Sequence, residues 1–109
     1  AVRVECRVPG SDMNPYLAQA AMLAAGLKGI EEKLELQAAF SGDAYESKVK
    51  THIPQTLQDA REAMMASEML REAFGEVVMT HYARAAEWEI EEFNRVVTDY
   101  EIARGFEKA

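Results

Sequence analysis

The feature that most constrains the fold is an alternating segment at residues 2–8, followed by sequence that is typical of helices. Successive side chains of a strand point to opposite faces, so Arg3, Glu5 and Arg7 are predicted to share one face of a strand. A single strand leaves its backbone N–H and C=O groups without partners. We therefore expect this strand to pair with a sheet supplied by a preceding part of a longer protein. Pairing between two copies of the chain is the alternative.

The rest of the chain predicts a mainly α structure over the region 15–109. Asn14 and Pro15 are residue types that begin helices, and the Ala-rich run after them predicts a buried helix that ends near residue 34. Residues 35–55 are predicted mostly as loop. Further helices are predicted at 57–66, 68–74, 76–97 and 98–106, with Gly75 as a helix end and Thr98 with Glu101 as a capping box. We thus expect one N-terminal strand and about five helices.

Charge and cysteine content exclude several classes of partner. The net charge of −7 argues against attraction to nucleic acid or to an anionic membrane surface. No uncharged apolar run reaches the ~18 residues that a membrane span requires. The lone cysteine, Cys6, lies on the apolar face of the predicted strand and is expected to be a small buried residue. One unpaired cysteine and the lack of a signal-peptide pattern favour a reducing compartment, and hence the cytoplasm.

The charged face of residues 2–8 has the chemistry of an anion or metal site. The planar guanidinium groups of Arg3 and Arg7 match phosphate and carboxylate, and the carboxylate of Glu5 suits a hard divalent cation. From the strand alone, the alternative is a solvated face with weak ion pairs.

The run at residues 3–30 resembles the glutamine synthetase family. That family's pattern is Arg-x-Glu-x-Arg, a Pro-containing loop, Asn-Pro-Tyr-Leu, and a small-residue helix that ends near Ala-Gly-Leu-x-Gly-Ile. The spacing matches without a gap, and the rest of the chain resembles the family's C-terminal helical end more loosely. The resemblance implies that residues 1–109 are the C-terminal part of an α+β catalytic domain of the glutamine synthetase type.

The resemblance also implies an activity and a role for each charged residue. Family members are ATP-dependent ligases that phosphorylate the side-chain carboxylate of glutamate and couple it to ammonia or an amine, with Mg²⁺ or Mn²⁺. By position, Glu5 is expected to ligate the metal, Arg3 to contact nucleotide phosphates, and Arg7 to bind glutamate or its transferring phosphoryl group. The full-length protein is expected to be a homo-oligomer. The isolated chain is expected to be inactive, because the family's other ligands precede this segment.

The sequence also bears on which molecule accepts the glutamyl group, and on an alternative, non-enzymatic function. The loop at residues 9–13 and the ending at 97–106 look more like the branch that joins glutamate to amines, which includes the γ-glutamylpolyamine synthetases. The rival is a non-enzymatic helical module for protein interactions, suggested by the Ala-rich and Met-rich helices. Such a module would not need Arg3, Glu5 and Arg7 together.

Overall fold

Helices make up most of the computed structural model, which describes residues 1–3, 5–36, 38–39, 41–43 and 53–108. They are α1 (Pro15–Glu31), α2 (Leu57–Ala66), α3 (Glu68–Arg95) and α4 (Asp99–Glu107). The mainly helical class predicted from the sequence is confirmed. Within the described part of the chain there is no strand, so the strand predicted at residues 2–8 is not confirmed. Residue 4 and much of the loop predicted at 35–55 lie outside the described residues.

Each helix begins at a side chain that accepts hydrogen bonds from the first turn. The Asn14 Oδ1 atom accepts from the backbone N–H groups of Tyr16 and Leu17 at 3.0 and 3.3 Å. Hydroxyl groups do the same for the other helices, on Thr56, Ser67 and Thr98. Free N–H groups at a helix start are thereby satisfied, which is why these residue types predict helix starts well.

The capping box predicted at the start of α4 is present. The Glu101 carboxylate accepts hydrogen bonds from the backbone N–H of Thr98 at 2.8 Å and from its hydroxyl at 2.9 Å. These bonds favour the ionised carboxylate and lower the pKa of Glu101. The box explains why a short helix starts directly after the longest one ends.

The first helix ends earlier than predicted, at Glu31 rather than near residue 34. Lys33 has a left-handed backbone, with φ of 52°. Its N–H donates to the Ile30 carbonyl at 3.2 Å, and the Leu34 N–H donates to the Gly29 carbonyl at 3.0 Å. This is the bonding of a Schellman motif, which usually has glycine or asparagine at the left-handed position. Lysine does not mark a helix end in the way that glycine or asparagine does. The helix predicted from the sequence is therefore too long by about three residues.

Gly75 interrupts α3 and divides it into two arms, which correspond to the helices predicted at 68–74 and 76–97. Its φ of 80° and ψ of 161° are not helical. Only glycine adopts this region readily, because a Cβ atom would clash with the local backbone. The chain continues as helix on both sides, so the described residues contain four helices rather than about five. The second arm ends at Arg95, two residues before the predicted end.

We expect Gly75→Ala to destabilise the protein by about 1–3 kcal/mol, because alanine strains a backbone with positive φ. Apart from the adjoining backbone, no atom lies within 4 Å of an added Cβ, so the cost arises from the local backbone alone. Thermal unfolding measures it. Gly105→Ala is the matched control, since it lies inside α4 with equally open space and is expected to be neutral or stabilising. Equal melting temperatures for Gly75→Ala and the wild type would contradict the prediction.

The interior is small and lies between α2 and the second arm of α3. Among the described residues, Met79 and Ala83 are the buried ones. The Arg61 side chain crosses from α2, where its Nε atom donates to the Ala83 carbonyl at 3.0 Å and its Nη2 atom lies 3.3 Å from the Glu87 carboxylate. A buried carbonyl is thereby paired, and the two helices are held in register.

Two predictions of burial are wrong for this structure. The first helix contains no buried residue, because among the described helices it contacts α3 alone and leaves the rest of its surface open. Cys6, expected in a core, is exposed, because the described residues offer no sheet on which residues 5–8 could pack. Within the described residues, no helix has the length and apolar character needed to cross a membrane.

Candidate functional site

Arg3, Glu5 and Arg7, called the charged row below, lie in the segment that leads into α1. The Arg7 Nε atom donates to the Glu5 Oε1 atom at 2.7 Å, so these two side chains lie next to each other. Their side chains are 83% and 61% exposed. An ion pair this exposed stabilises the fold little, so it does not by itself explain why both residues are present.

Both members of the pair keep free capacity for a ligand. An arginine side chain has five N–H donors, and Arg7 uses the one on Nε for Glu5. The Glu5 carboxylate has a second oxygen that bonds no other described residue. Arg3 is exposed and makes no hydrogen bond or ion pair within the described part of the chain. The row therefore offers two guanidinium groups and one carboxylate oxygen to solvent.

The described residues do not complete a metal site. Among them there is no group of three or more His, Cys, Asp or Glu side chains placed to hold an ion. Mg²⁺ requires about six oxygen ligands in an octahedron, and Glu5 supplies one carboxylate. Glu5 thus has the chemistry of a single ligand, and a complete site would need donors from outside the described residues.

A tight turn and the cap on α1 connect the row to the helices. The Met13 N–H donates to the Gly10 carbonyl at 3.4 Å, and Asn14 then begins α1. Further along, the Lys28 Nζ atom lies 3.1 Å from the Glu72 carboxylate on the first arm of α3, which raises the pKa of Lys28. Sequence reasoning missed this contact, because no local pattern links residues 44 positions apart.

Comparison with known proteins identifies the class to which this chain belongs. The model of the glutamine synthetase catalytic domain matches residues 1–105. Gamma-glutamylethanolamide synthetase GlnA4 of Streptomyces coelicolor is 44% identical over 108 residues, which is 99% of this chain and 23% of that protein. Glutamate–isopropylamine ligase of a Pseudomonas species is 42% identical, over 95% of this chain and 23% of its own length. Glutamine synthetase of Thermus thermophilus is 37% identical, over 94% of this chain and 24% of its own length.

The protein belongs to the glutamine synthetase catalytic-domain family. The family model spans nearly the whole chain, and it includes the charged row and all four helices except the last residues of α4. The chain spans about a quarter of the length of the curated relatives it matches. These matches favour the ligase hypothesis over the helical interaction module.

Proposed function

We propose that the full-length protein is an ATP-dependent ligase that phosphorylates the side-chain carboxylate of glutamate and couples it to an amine or ammonia. The observation that carries this proposal is the family match over residues 1–105, which contains the exposed row of Arg3, Glu5 and Arg7. A complete catalytic domain needs more than this chain, and residues 1–109 would form its C-terminal part.

The three charged residues have different roles in this proposal. Glu5 supplies one carboxylate oxygen to Mg²⁺ or Mn²⁺, whose remaining ligands come from outside the described residues. Such an ion, when bound, neutralises charge on the transferring phosphoryl group. Arg3 binds nucleotide phosphates through its guanidinium group. Arg7 binds the glutamate carboxylate or the phosphoryl group, and its bond to Glu5 orients its free N–H donors.

The strand predicted at residues 2–8 belongs to the same proposal. The side chains of residues 5–8 are exposed in this chain, and their backbone is available to pair with a sheet of the full-length protein. A sheet would hold the three charged groups on one rigid face, which a free segment cannot do. We propose that the working protein is a homo-oligomer, in which part of the exposed apolar surface of these helices becomes covered. The lone Cys6 fits a reducing compartment such as the cytoplasm.

For the acceptor, we propose a primary amine rather than ammonia. Support comes from the two relatives named for amine products or substrates, which are 44% and 42% identical to this chain. The glutamine synthetases compared are 36–37% identical. The loop at residues 9–13 also resembles the amine-using branch.

A direct assay distinguishes the acceptors. Phosphate release by the full-length protein is measured with ATP and glutamate, and with ethanolamine, isopropylamine or ammonia in turn. We expect kcat/KM for the better amine to exceed that for ammonia by about tenfold or more, the effect of ~1.4 kcal/mol in transition-state binding. Reactions without an acceptor correct for ATP hydrolysis. A higher kcat/KM for ammonia would contradict the amine proposal while leaving the ligase proposal intact.

A further inference from the structure

The composition of α1 differs from that of the other exposed helical surface in this chain. From residue 15 to residue 27 the helix contains no charged side chain. Lys28, in its last turn, bonds the Glu72 carboxylate of α3 at 3.1 Å. Exposed surface on α3 carries charges, among them Glu87 and Glu89. A helix that is uncharged on every side is normally covered on every side, so α1 has the composition of an interior helix.

One side of α1 faces α3, and another side has no partner among the described helices. Ala24 and Lys28 lie on the side toward α3 and are half-buried. Roughly 100° around the helix lies a second set of side chains, which recur at helical spacing and are between 59% and 84% exposed. They form the apolar stripe, which consists of Tyr16, Leu23, Leu27 and Ile30. Among the described helices α1 contacts α3 alone, so this stripe is left uncovered.

The short connection into α1 limits what can cover the apolar stripe. Residues 9–14 join the segment at residues 2–8 to the helix, and six residues span at most about 22 Å when fully extended. The real span is shorter, because the Met13 N–H donates to the Gly10 carbonyl and closes a turn. A helix joined to a strand by a short connection lies next to the sheet of that strand. The sheet proposed for residues 2–8 would therefore lie beside α1.

The part of the protein that would supply this sheet is long enough to cover the stripe. The chain spans 23% of the length of each of the two relatives named for amines. In the proposed function most of the remainder comes before residue 1, and it is called the preceding segment below. Because it would enter through residues 2–8, it is held close to α1 at a high effective concentration. A second copy of the chain has no such link.

We infer that the apolar stripe of α1 packs within the same polypeptide against the preceding segment, on the sheet that residues 2–8 join. The helix is then an interior element between that sheet and α3, and it is not a contact between subunits. This packing also fixes the direction of the charged row, which lies one short turn before α1. The inference rests on the proposed function only in requiring a longer protein, and it does not depend on the reaction.

Photo-cross-linking in the full-length protein identifies what covers the stripe. Leu23 is replaced by p-benzoyl-L-phenylalanine, which bonds to neighbouring C–H groups on irradiation. Denaturing electrophoresis separates chains cross-linked within themselves from cross-linked pairs, and mass spectrometry of the peptides locates the second site. We expect at least about tenfold more product within one chain than between chains, since linked parts meet at a high effective concentration. The second site is expected in the preceding segment.

Two further positions make the result decisive. Replacing Tyr16 by the same photoreactive residue keeps an aromatic ring at the most exposed position of the stripe, and it decides if the variant at Leu23 does not fold. Glu89, on the charged surface of α3, is the control and is expected to give little product with the preceding segment. Equal product from Glu89 would overturn the inference.

Three other outcomes would also overturn it. They are a main product between two chains, a second site within residues 1–109, and the lack of any protein product. A main product between chains would assign the stripe to a second copy or to another protein, which the mass of the product distinguishes. Ligase activity is not the readout, so a failed acceptor assay would remove the proposed reaction and leave the cross-linking result standing.

Discussion

Glu5→Gln in the full-length protein is expected to lower ligase activity by at least about 100-fold at fixed metal concentration. Glutamine keeps the size of the side chain but removes its negative charge, and a neutral amide is a weaker ligand for a hard divalent cation. Loss of partners that only support a metal ligand already costs 10–100-fold in many sites, so loss of the ligand's charge should cost no less. The measurement is kcat/KM for ATP, with the metal concentration varied.

The control for this variant separates a ligand from an ordinary surface carboxylate. Glu89→Gln makes the same chemical change on the exposed surface of α3, where the side chain makes no hydrogen bond or ion pair with another described residue. It is expected to leave activity unchanged. The exposed Glu5–Arg7 pair adds little stability, so Glu5→Gln should keep the melting temperature and the oligomeric state of the wild type. Wild-type activity in Glu5→Gln would remove the metal role.

Arg7→Ala is expected to raise KM for glutamate by about 10-fold to 100-fold, with a smaller rise in KM for ATP. A hydrogen bond to a charged group contributes about 1.5–3 kcal/mol, which corresponds to this range. Arg3→Ala is expected to show the opposite selectivity, with the larger rise in KM for ATP. Steady-state kinetics with each substrate varied in turn measures both effects.

Two comparisons make the arginine assignments specific. Arg7→Lys should recover part of the loss, because lysine keeps the charge but not the planar pair of donors. Arg84→Ala removes an exposed arginine that makes no hydrogen bond or ion pair with another described residue, and it should leave both KM values unchanged. If Arg7→Ala affected mainly ATP and Arg3→Ala mainly glutamate, the two assignments would be reversed. If neither variant changed either KM, the row would be an ordinary solvated face.

Local chemistry allowed the helix starts to be predicted from the sequence. Asn14, Thr56, Ser67 and Thr98 each accept a hydrogen bond from the turn that follows, and this bond needs only residues two or three positions apart. Gly75 was recognised as a breaker for a similar reason, since its freedom of φ is a property of one residue. The roles of the charged row remain predictions, because the groups they would act on lie outside this chain.

The sequence by itself determined where helices begin, that the chain is mainly helical, and the resemblance to a family that was then confirmed. Only the tertiary structure decided that α1 ends at a left-handed Lys33 and that Lys28 pairs with Glu72. It also decided that the Arg71 side chain bonds both Met65 and Glu76, on either side of Gly75. The physical reason is the distance along the chain over which each interaction acts. Caps and breakers act within one turn of chain, whereas these ion pairs and the angle at Gly75 depend on how separate helices pack against one another.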